Sequence, residues 1–444
     1  MAEESAESGS RDMPADHDLW ASLARPTPAW FRDATFGIFI HWGAYSVPAW
    51  AEPLGALGTI PDDVWFPHNP YAEWYANTIR IPGSPAAQHH ADIHGDAPYD
   101  DFLDAWQPDE FDADAWAQLF ADVGAEYVIP TTKHHDGIAL WDAPGTGTRN
   151  TVHRGPRRDL IGEIAAAVRR QGLRFGVYYS GGLDWGVTDL PPQLDETDLM
   201  RLRPVDAAYN FYAIAHVRDL MRRYQPDVLW NDIEWPDAGK RGGPDGLVEL
   251  FRDFYAGNPD GVVNDRWGVP HSDFRTSEYA HAAESEQGET WENTRGIGYS
   301  FGHNAVEEAV HTLTPGALAR HWADVVSRGG RLLLNVGPTA SGRIPDLQRA
   351  TLSAFGSWKR PLAPLAATSR PMSAPDQADG WRREWLTRDG VVVIAGEGRH
   401  HLAAAAGEAR IRTGSGRLAD GVLEVDDELP TAALIPGAPA APRD

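Results

Sequence analysis

Two patterns of apolar residues alternate along the chain. Short runs are apolar almost throughout: residues 36–43 (FGIFIHWG), 127–137 (YVIPTTKHHDG), 174–180 (RFGVYYS), 228–231 (VLWN) and 331–337 (RLLLNVG). Runs with no polar face read as strands buried on both sides, as in a parallel sheet covered by helices. Between them lie longer segments whose apolar residues recur every three or four positions, which predicts helices over 111–125, 158–172, 207–224, 247–255, 315–330 and 344–360. Their ends carry the expected signals. The helix 158–172 has acid first, base last and a terminal Gly172, and 315–330 has Pro315 at its start and Gly330 at its end. Shorter strands are predicted at 261–264 and around 274–278. A long irregular insert with many Pro is expected after the first strand, to about residue 110, and the rest of 264–304 reads as an aromatic, charge-rich loop.

Strands alternating with helices imply parallel strands with helical crossovers. The apolar runs end in His41, His134 and His135, and Asp232. Polar residues at strand ends favour a (β/α)8-type (TIM-like) barrel, whose site is assembled at the C-terminal strand ends. The competing open, doubly wound sheet would carry a Gly-rich phosphate loop after its first strand, and the sequence has none there. After about residue 361 the character changes. Pro361, Pro364, Pro371 and Pro375 mark a linker, and "WRREWLTRDGVVVIAG" alternates like a hairpin turning at Arg388–Gly390. The expected organisation is a disordered acidic leader (1–19), a catalytic barrel (20–360) and a small C-terminal all-β sandwich (361–444).

Composition narrows the function. Acidic residues outnumber basic ones 64 to 39 over 444 residues, a formal charge of −25. That argues against nucleic acid and anionic membranes as partners, because both need a basic footprint. With no cysteine, thiolate metal sites and Cys nucleophiles are excluded. The polar start has no signal-peptide pattern, and no run nears the roughly 18 apolar residues of a membrane span, so a cytoplasmic protein is expected. Of the 18 Trp, several neighbour His or carboxylates: His41-Trp42, Glu73-Trp74, Trp230 near Asp232, and Trp291-Glu292. Any one of them serves as core filling. Aromatic rings recurring beside carboxylates are what sugar-binding clefts use, because pyranose faces carry C–H groups that pack on rings.

Three features carry chemistry. In "KHHDG" adjacent histidines on a strand point to opposite faces, and no HExxH spacing occurs, so hydrogen bonding to a polar ligand is favoured over metal ligation. A metal-dependent hydrolase using His41, His134, His135 and Asp232 stands as a rival. Asp232 either caps the following segment or is a catalytic carboxylate, with Glu234 as a competing actor. The 264–304 run offers the acids Asp265, Asp273, Glu278, Glu284 and Glu292, with Glu278 favoured by the strand-like segment before it. Arg266, Trp267 and Arg295 could orient hydroxyls. Two carboxylates among aromatics on a barrel suggest glycoside hydrolysis.

The blocks "WFRDATFGIFIHWGAYSVPAW", "NPYAEWY", "YVIPTTKHHDGIALW", "VLWNDIEWP", "RTSEY" and "SRGGRLLLNVGPTASGRIPDLQ" occur in this order between about residues 20 and 360. Together they resemble the retaining α-L-fucosidases of glycoside hydrolase family 29. The resemblance implies an exo-acting enzyme that releases α-L-fucose from fucosylated oligosaccharides or glycoconjugates, self-associates as family members commonly do, and needs neither cofactor nor metal. Asp232 matches the family's nucleophile and Glu278 its acid/base, the least uniform position. His41, Glu73, His134, His135 and Arg266 match partners of fucose hydroxyls or of the carboxylates. Tyr178 and Trp230 match lining residues, and Phe39, Trp74 and Phe301 match aromatics around the fucose methyl. Retention implies carboxylates about 5–5.5 Å apart. A catalytically inactive carbohydrate-binding protein on the same scaffold is the other alternative. Linkage preference is expected to depend on residues 65–70 and 283–290.

Overall fold

The computed structural model describes residues 18–279, 290–366, 370–371, 380–402 and 408–437. The leader expected at 1–19 lies almost wholly outside the described residues, as do Glu284 and most of 283–290.

Eight strands form one curled sheet: β1 (Phe36–Ile40), β2 (Tyr127–Lys133), β3 (Arg174–Ser180), β4 (Val228–Asp232), β5 (Val262–Val263), β6 (Arg275–Glu278), β7 (Trp291–Gly296) and β8 (Arg331–Val336). Their order is β5-β4-β3-β2-β1-β8-β7-β6, and every pairing is parallel. The two edges meet through two side-chain carboxylates and one backbone bond. Val263 N donates to Asp273 Oδ2 at 2.8 Å, Asp273 N donates to Val263 O at 2.9 Å, and Thr276 N donates to Asp265 Oδ1 at 3.0 Å. Carboxylates here take the place of strand carbonyls, so the barrel closes at a seam where β5 is too short to pair.

Period-two alternation sorts each strand's residues between two cores. Phe36, Ile38 and Ile40 of β1 and Leu332 and Leu334 of β8 pack outward under the helices, while Phe39 and Leu333 point into the barrel with Tyr127, Ile129, Tyr178 and Trp230. The outer layer contains Ala113–Asp122, Leu160–Arg170, Ala207–Tyr224, Leu247–Gly257, Pro315–Ser327 and Asp346–Lys359. Asp112, Asp159, Asp206 and Thr314 cap four of these by accepting backbone N–H groups of the first turn.

Two expectations are corrected. Residues 291–296 (WENTRG) form a barrel strand, not part of a loop. Their polarity hid the pattern, because Glu292, Asn293 and Thr294 are buried polar residues. The insert after β1, expected to be irregular, contains the helix Pro85–His94, capped by Ser84. Its few apolar residues give almost no stripe to read.

Beyond the barrel, β9 (Arg370–Pro371), β10 (Arg382–Thr387), β11 (Gly390–Ala395), β13 (Arg410–Thr413) and β16 (Thr431–Pro436) form one antiparallel sheet. A second comprises β12 (Gly398–His401), β14 (Arg417–Ala419) and β15 (Val422–Val425). The expected hairpin joins β10 to β11, with Thr387 opposite Gly390 and Gly390 at φ +134°, a conformation that suits glycine alone. Trp385 of this sheet meets Trp322 of the barrel helix Pro315–Ser327 edge-on at 6.0 Å. Among the described residues, no helix is long and apolar enough to cross a membrane.

Candidate active site

A cavity of about 190 Å³ opens at the C-terminal end of the strands. Seven of the eight strands, or the segments just after them, contribute to it, as the barrel geometry favours. Phe39 and His41 come from β1, His134 and His135 from the end of β2, Tyr178 from β3, and Trp230 and Asp232 from β4. Arg266 follows β5, Glu278 ends β6, and Phe301 follows β7, while Glu73 and Trp74 come from the short helix Ala72–Trp74 in the insert. All twelve residues expected from the resemblance therefore line one cavity.

Asp232 does not cap a helix. The chain after it turns through two left-handed residues, Ile233 at φ +55° and Glu234 at φ +64°. A β-branched residue there costs on the order of 1–2 kcal/mol. Gly182 makes the turn possible, since a Cβ at that position would lie 1.6 Å from the Ile233 carbonyl oxygen. The turn stops β4 at the cavity and sends Glu234 away to ion pairs with Arg203 and Lys240. Glu234 is thus separated from the site.

Asp232 is held by three donors. Tyr178 donates its hydroxyl to Oδ2 at 2.9 Å, while Arg266 Nη1 and Ile233 N each donate to Oδ1 at 3.0 Å. Burial pushes its pKa up, but the Arg266 guanidinium, then His135, and the bonds from Arg266 and Tyr178 outweigh that and leave it below the usual carboxylate value. Arg266 Nη2 also donates to Glu278 Oε2 at 3.2 Å, and its guanidinium lies 4.8 Å over the Trp230 ring. Tyr71 donates to the other oxygen, Glu278 Oε1, at 2.7 Å. Tyr71 was not among the expected site residues, although it lies inside the quoted "NPYAEWY" block.

The histidines are neutral hydrogen-bonding groups. Burial lowers His41 to about 3 and His135 to about 4, and pushes His134 well below the ordinary value. Asn335 gives its amide N–H to Phe301 O, so its oxygen faces His41 Nδ1 at 2.7 Å and that nitrogen carries the proton. Ser180 gives its hydroxyl proton to Leu183 O and so accepts from His135 Nδ1 at 2.7 Å. Both rings therefore offer Nε2 as an acceptor. Glu73 accepts from Gly302 N at 2.7 Å and Ser300 Oγ at 3.1 Å, and burial raises it to about 7.

The remaining candidates have structural places. Glu292 lies beneath the cavity, accepting from Trp230 Nε1 at 2.9 Å and the Tyr127 hydroxyl at 2.5 Å. Asp265 and Asp273 close the barrel seam. Trp267 is buried against Trp235 at 5.2 Å, and Arg295 lies 5.3 Å over the Tyr279 ring. Among the described residues, no group of three or more His, Asp or Glu is placed to hold a metal ion.

Known proteins share this chain's sequence and fold. A family model described as alpha-L-fucosidase matches residues 6–361. The tissue alpha-L-fucosidase of Bos taurus is 32% identical over 392 residues, covering 86% of this chain and 78% of that protein. The alpha-L-fucosidase of Dictyostelium discoideum is 30% identical, covering 76% and 70%. The crystal structure of Thermotoga maritima alpha-fucosidase in complex with fucose is 42% identical, with a TM-score of 0.80 and coverage of 94% of this chain and 99% of that one. On the site geometry and these matches together, the chain belongs to the α-L-fucosidases of glycoside hydrolase family 29.

Proposed function

We propose that this enzyme hydrolyses fucosylated oligosaccharides or glycoconjugates by a retaining double displacement, with Asp232 as nucleophile and Glu278 as acid/base. The observation that carries the reading is Arg266, one guanidinium bonded to both Asp232 and Glu278. Asp232, kept ionised by that cation, attacks the anomeric carbon. Glu278 gives its proton to the departing glycosidic oxygen, leaving a covalent fucosyl-enzyme. A water then gives its proton back to Glu278 and attacks the same carbon, which breaks the bond to Asp232 and restores both carboxyls. Proton transfer of this kind typically contributes about 10²–10⁴-fold in rate.

The inner wall suits a 6-deoxy sugar. Nε2 of His41 and of His135 accept from hydroxyls, and Glu73 offers a carboxyl beside them. Phe39, Trp74 and Phe301 supply the apolar surface for the methyl. The polar readers discriminate more strongly than the methyl pocket, which is worth roughly 1–3 kcal/mol.

The test is hydrolysis of an aryl α-L-fucoside by the wild type and by Asp232→Gly with and without azide. The expected result is an active wild type that first releases the α anomer, and an inactive variant that azide revives to give β-fucosyl azide. A wild type that ignores the fucoside overturns the reading, and a variant that keeps its activity overturns the assignment of Asp232.

A further inference from the structure

The cavity extends beyond the residues assigned to fucose. Its outer wall is built from the insert after β1, which supplies Leu57, Ile60 and Trp65, and from the helix Glu196–Arg201 in the β3–β4 connection, which supplies Leu199. All four are half-buried. Trp65 meets Tyr71 edge-on at 5.0 Å, and Tyr71 donates to Glu278. The outer wall therefore adjoins the carboxyl that must touch the glycosidic oxygen. Whatever that oxygen carries leaves the fucose on this side.

The inner and outer halves differ in chemistry. The inner half contains hydroxyl readers. In the outer half the only charged side chains are Asp62 and Glu196, both exposed and both without an ion-pair partner among the described residues. Arg266 is the only Lys or Arg of the described cavity wall, and its charge is already shared between Asp232 and Glu278. Among the described residues, an arriving anion finds two uncompensated carboxylates and no available cation. A neutral ring finds Trp65 and three aliphatic side chains.

We infer that this outer wall is an aglycone site for neutral or amine-bearing groups with an apolar face, and that Asp62 and Glu196 make it select against anionic aglycones such as sulfated or carboxylated sugars. This rests on the retaining fucosidase reading above. The described residues of this wall offer neutral aglycones mainly apolar contact, so selection among them is by bulk and weaker than selection by charge. Two exposed carboxylates several ångströms from an aglycone charge are worth on the order of three- to five-fold in binding at low salt. Salt removes most of that advantage, because the Debye length falls to about 3 Å at 1 M.

The test compares two aryl α-L-fucosides that differ by one ring carboxylate placed away from the glycosidic oxygen, with α-L-fucosyl fluoride as a substrate without an organic aglycone. The readout is the ratio of kcat/KM for the neutral to the carboxylated substrate, which cancels effects common to both. In the wild type at low salt the ratio should exceed its value at about 1 M NaCl by roughly three-fold or more. In the double variant Asp62→Asn, Glu196→Gln the low-salt ratio should fall by a similar factor. A ratio unmoved by both salt and the double variant overturns the aglycone site while leaving fucosidase activity intact. Failure of the wild type to hydrolyse fucosyl fluoride overturns the underlying reaction instead, and this inference with it.

Discussion

Arg266 Nη1 lies 3.0 Å from Asp232 Oδ1, and this one contact does most to keep a largely buried carboxylate ionised. In Arg266→Met, burial would act on Asp232 with only His135 and the bonds from Tyr178 and Ile233 N opposing it. A carboxylate whose pKa is depressed ionises early as pH rises, so removing the cation delays ionisation. The acid limb of kcat/KM should move to higher pH by about one unit or more, and activity near neutrality should fall on the order of 10²-fold. Arg266→Lys restores charge but not the bridge, so it should recover the limb more than the rate. The pH–rate profiles of both variants check this, and an acid limb that stays in place counts against it.

Glu73, Glu292 and Glu307 are each raised by burial from 4.5 to about 7. Their folded pKa lies above the unfolded one, so between these two values the folded state holds protons that the unfolded chain has released. Stability from these groups is therefore greatest at low pH, declines as pH rises from about 4.5 to about 7, and then levels off. Each contributes up to roughly 1–3 kcal/mol to that slope. Glu292→Gln removes one titration while keeping an acceptor under Trp230. Melting temperatures of wild type and variant at about pH 5 and about pH 8 should show a smaller difference for the variant. Equal differences would show that Glu292 does not titrate in this range.

Much of the site was legible because barrel strands end in their own chemistry. An apolar run such as "VLWN" says strand, and the first ionisable residue after it sits at the barrel mouth. His41 and Asp232 followed that logic, and His134 and His135 sit just past Lys133, which β2 commits to a buried ion pair with Asp184. The logic failed at β7, where Glu292 and Thr294 face the barrel interior and Asn293 turns outward to His321 of the helix layer, so buried polar residues on both faces read as loop. Tyr71 was missed for a different reason: its value comes from a bond to Glu278, 207 residues away, which no local spacing records. The turn at Ile233 and Glu234 was equally invisible, since neither residue type prefers a positive φ.

The rival metal-dependent reading can be tested directly. His41 and His135 each commit Nδ1 to a protein oxygen, and among the described residues no set of three ligands converges. Prolonged dialysis against EDTA should change kcat/KM on an aryl fucoside by less than about two-fold, because the two-carboxylate mechanism uses no metal. A loss that zinc or manganese reverses would restore the rival.

The barrel seam should be its weak line. Asp273 Oδ2 accepts from Val263 N and from the Tyr255 hydroxyl, each at 2.8 Å, and Oδ1 pairs with Arg25 at 3.2 Å. Its side chain is 1% exposed and Val263 is fully buried, so that strand N–H has no solvent as a ready substitute, while Arg25 is 18% exposed. Asp273→Ala would leave a strand N–H and a guanidinium without their acceptor at the point where β5 and β6 do not pair. The expected cost is about 3–5 kcal/mol, as for breaking other buried ion pairs. Asp273→Asn keeps an acceptor for Val263 but loses the charge facing Arg25, so it should cost less. Chemical denaturation of the two variants gives the order directly. Hydrogen exchange at Val263 and Thr276 should rise in Asp273→Ala before the rest of the barrel is affected, because β5 and β6 are each laddered on one side only and have no ladder to each other across the seam. Protection unchanged at both positions would mean that packing, not the carboxylate, closes the barrel.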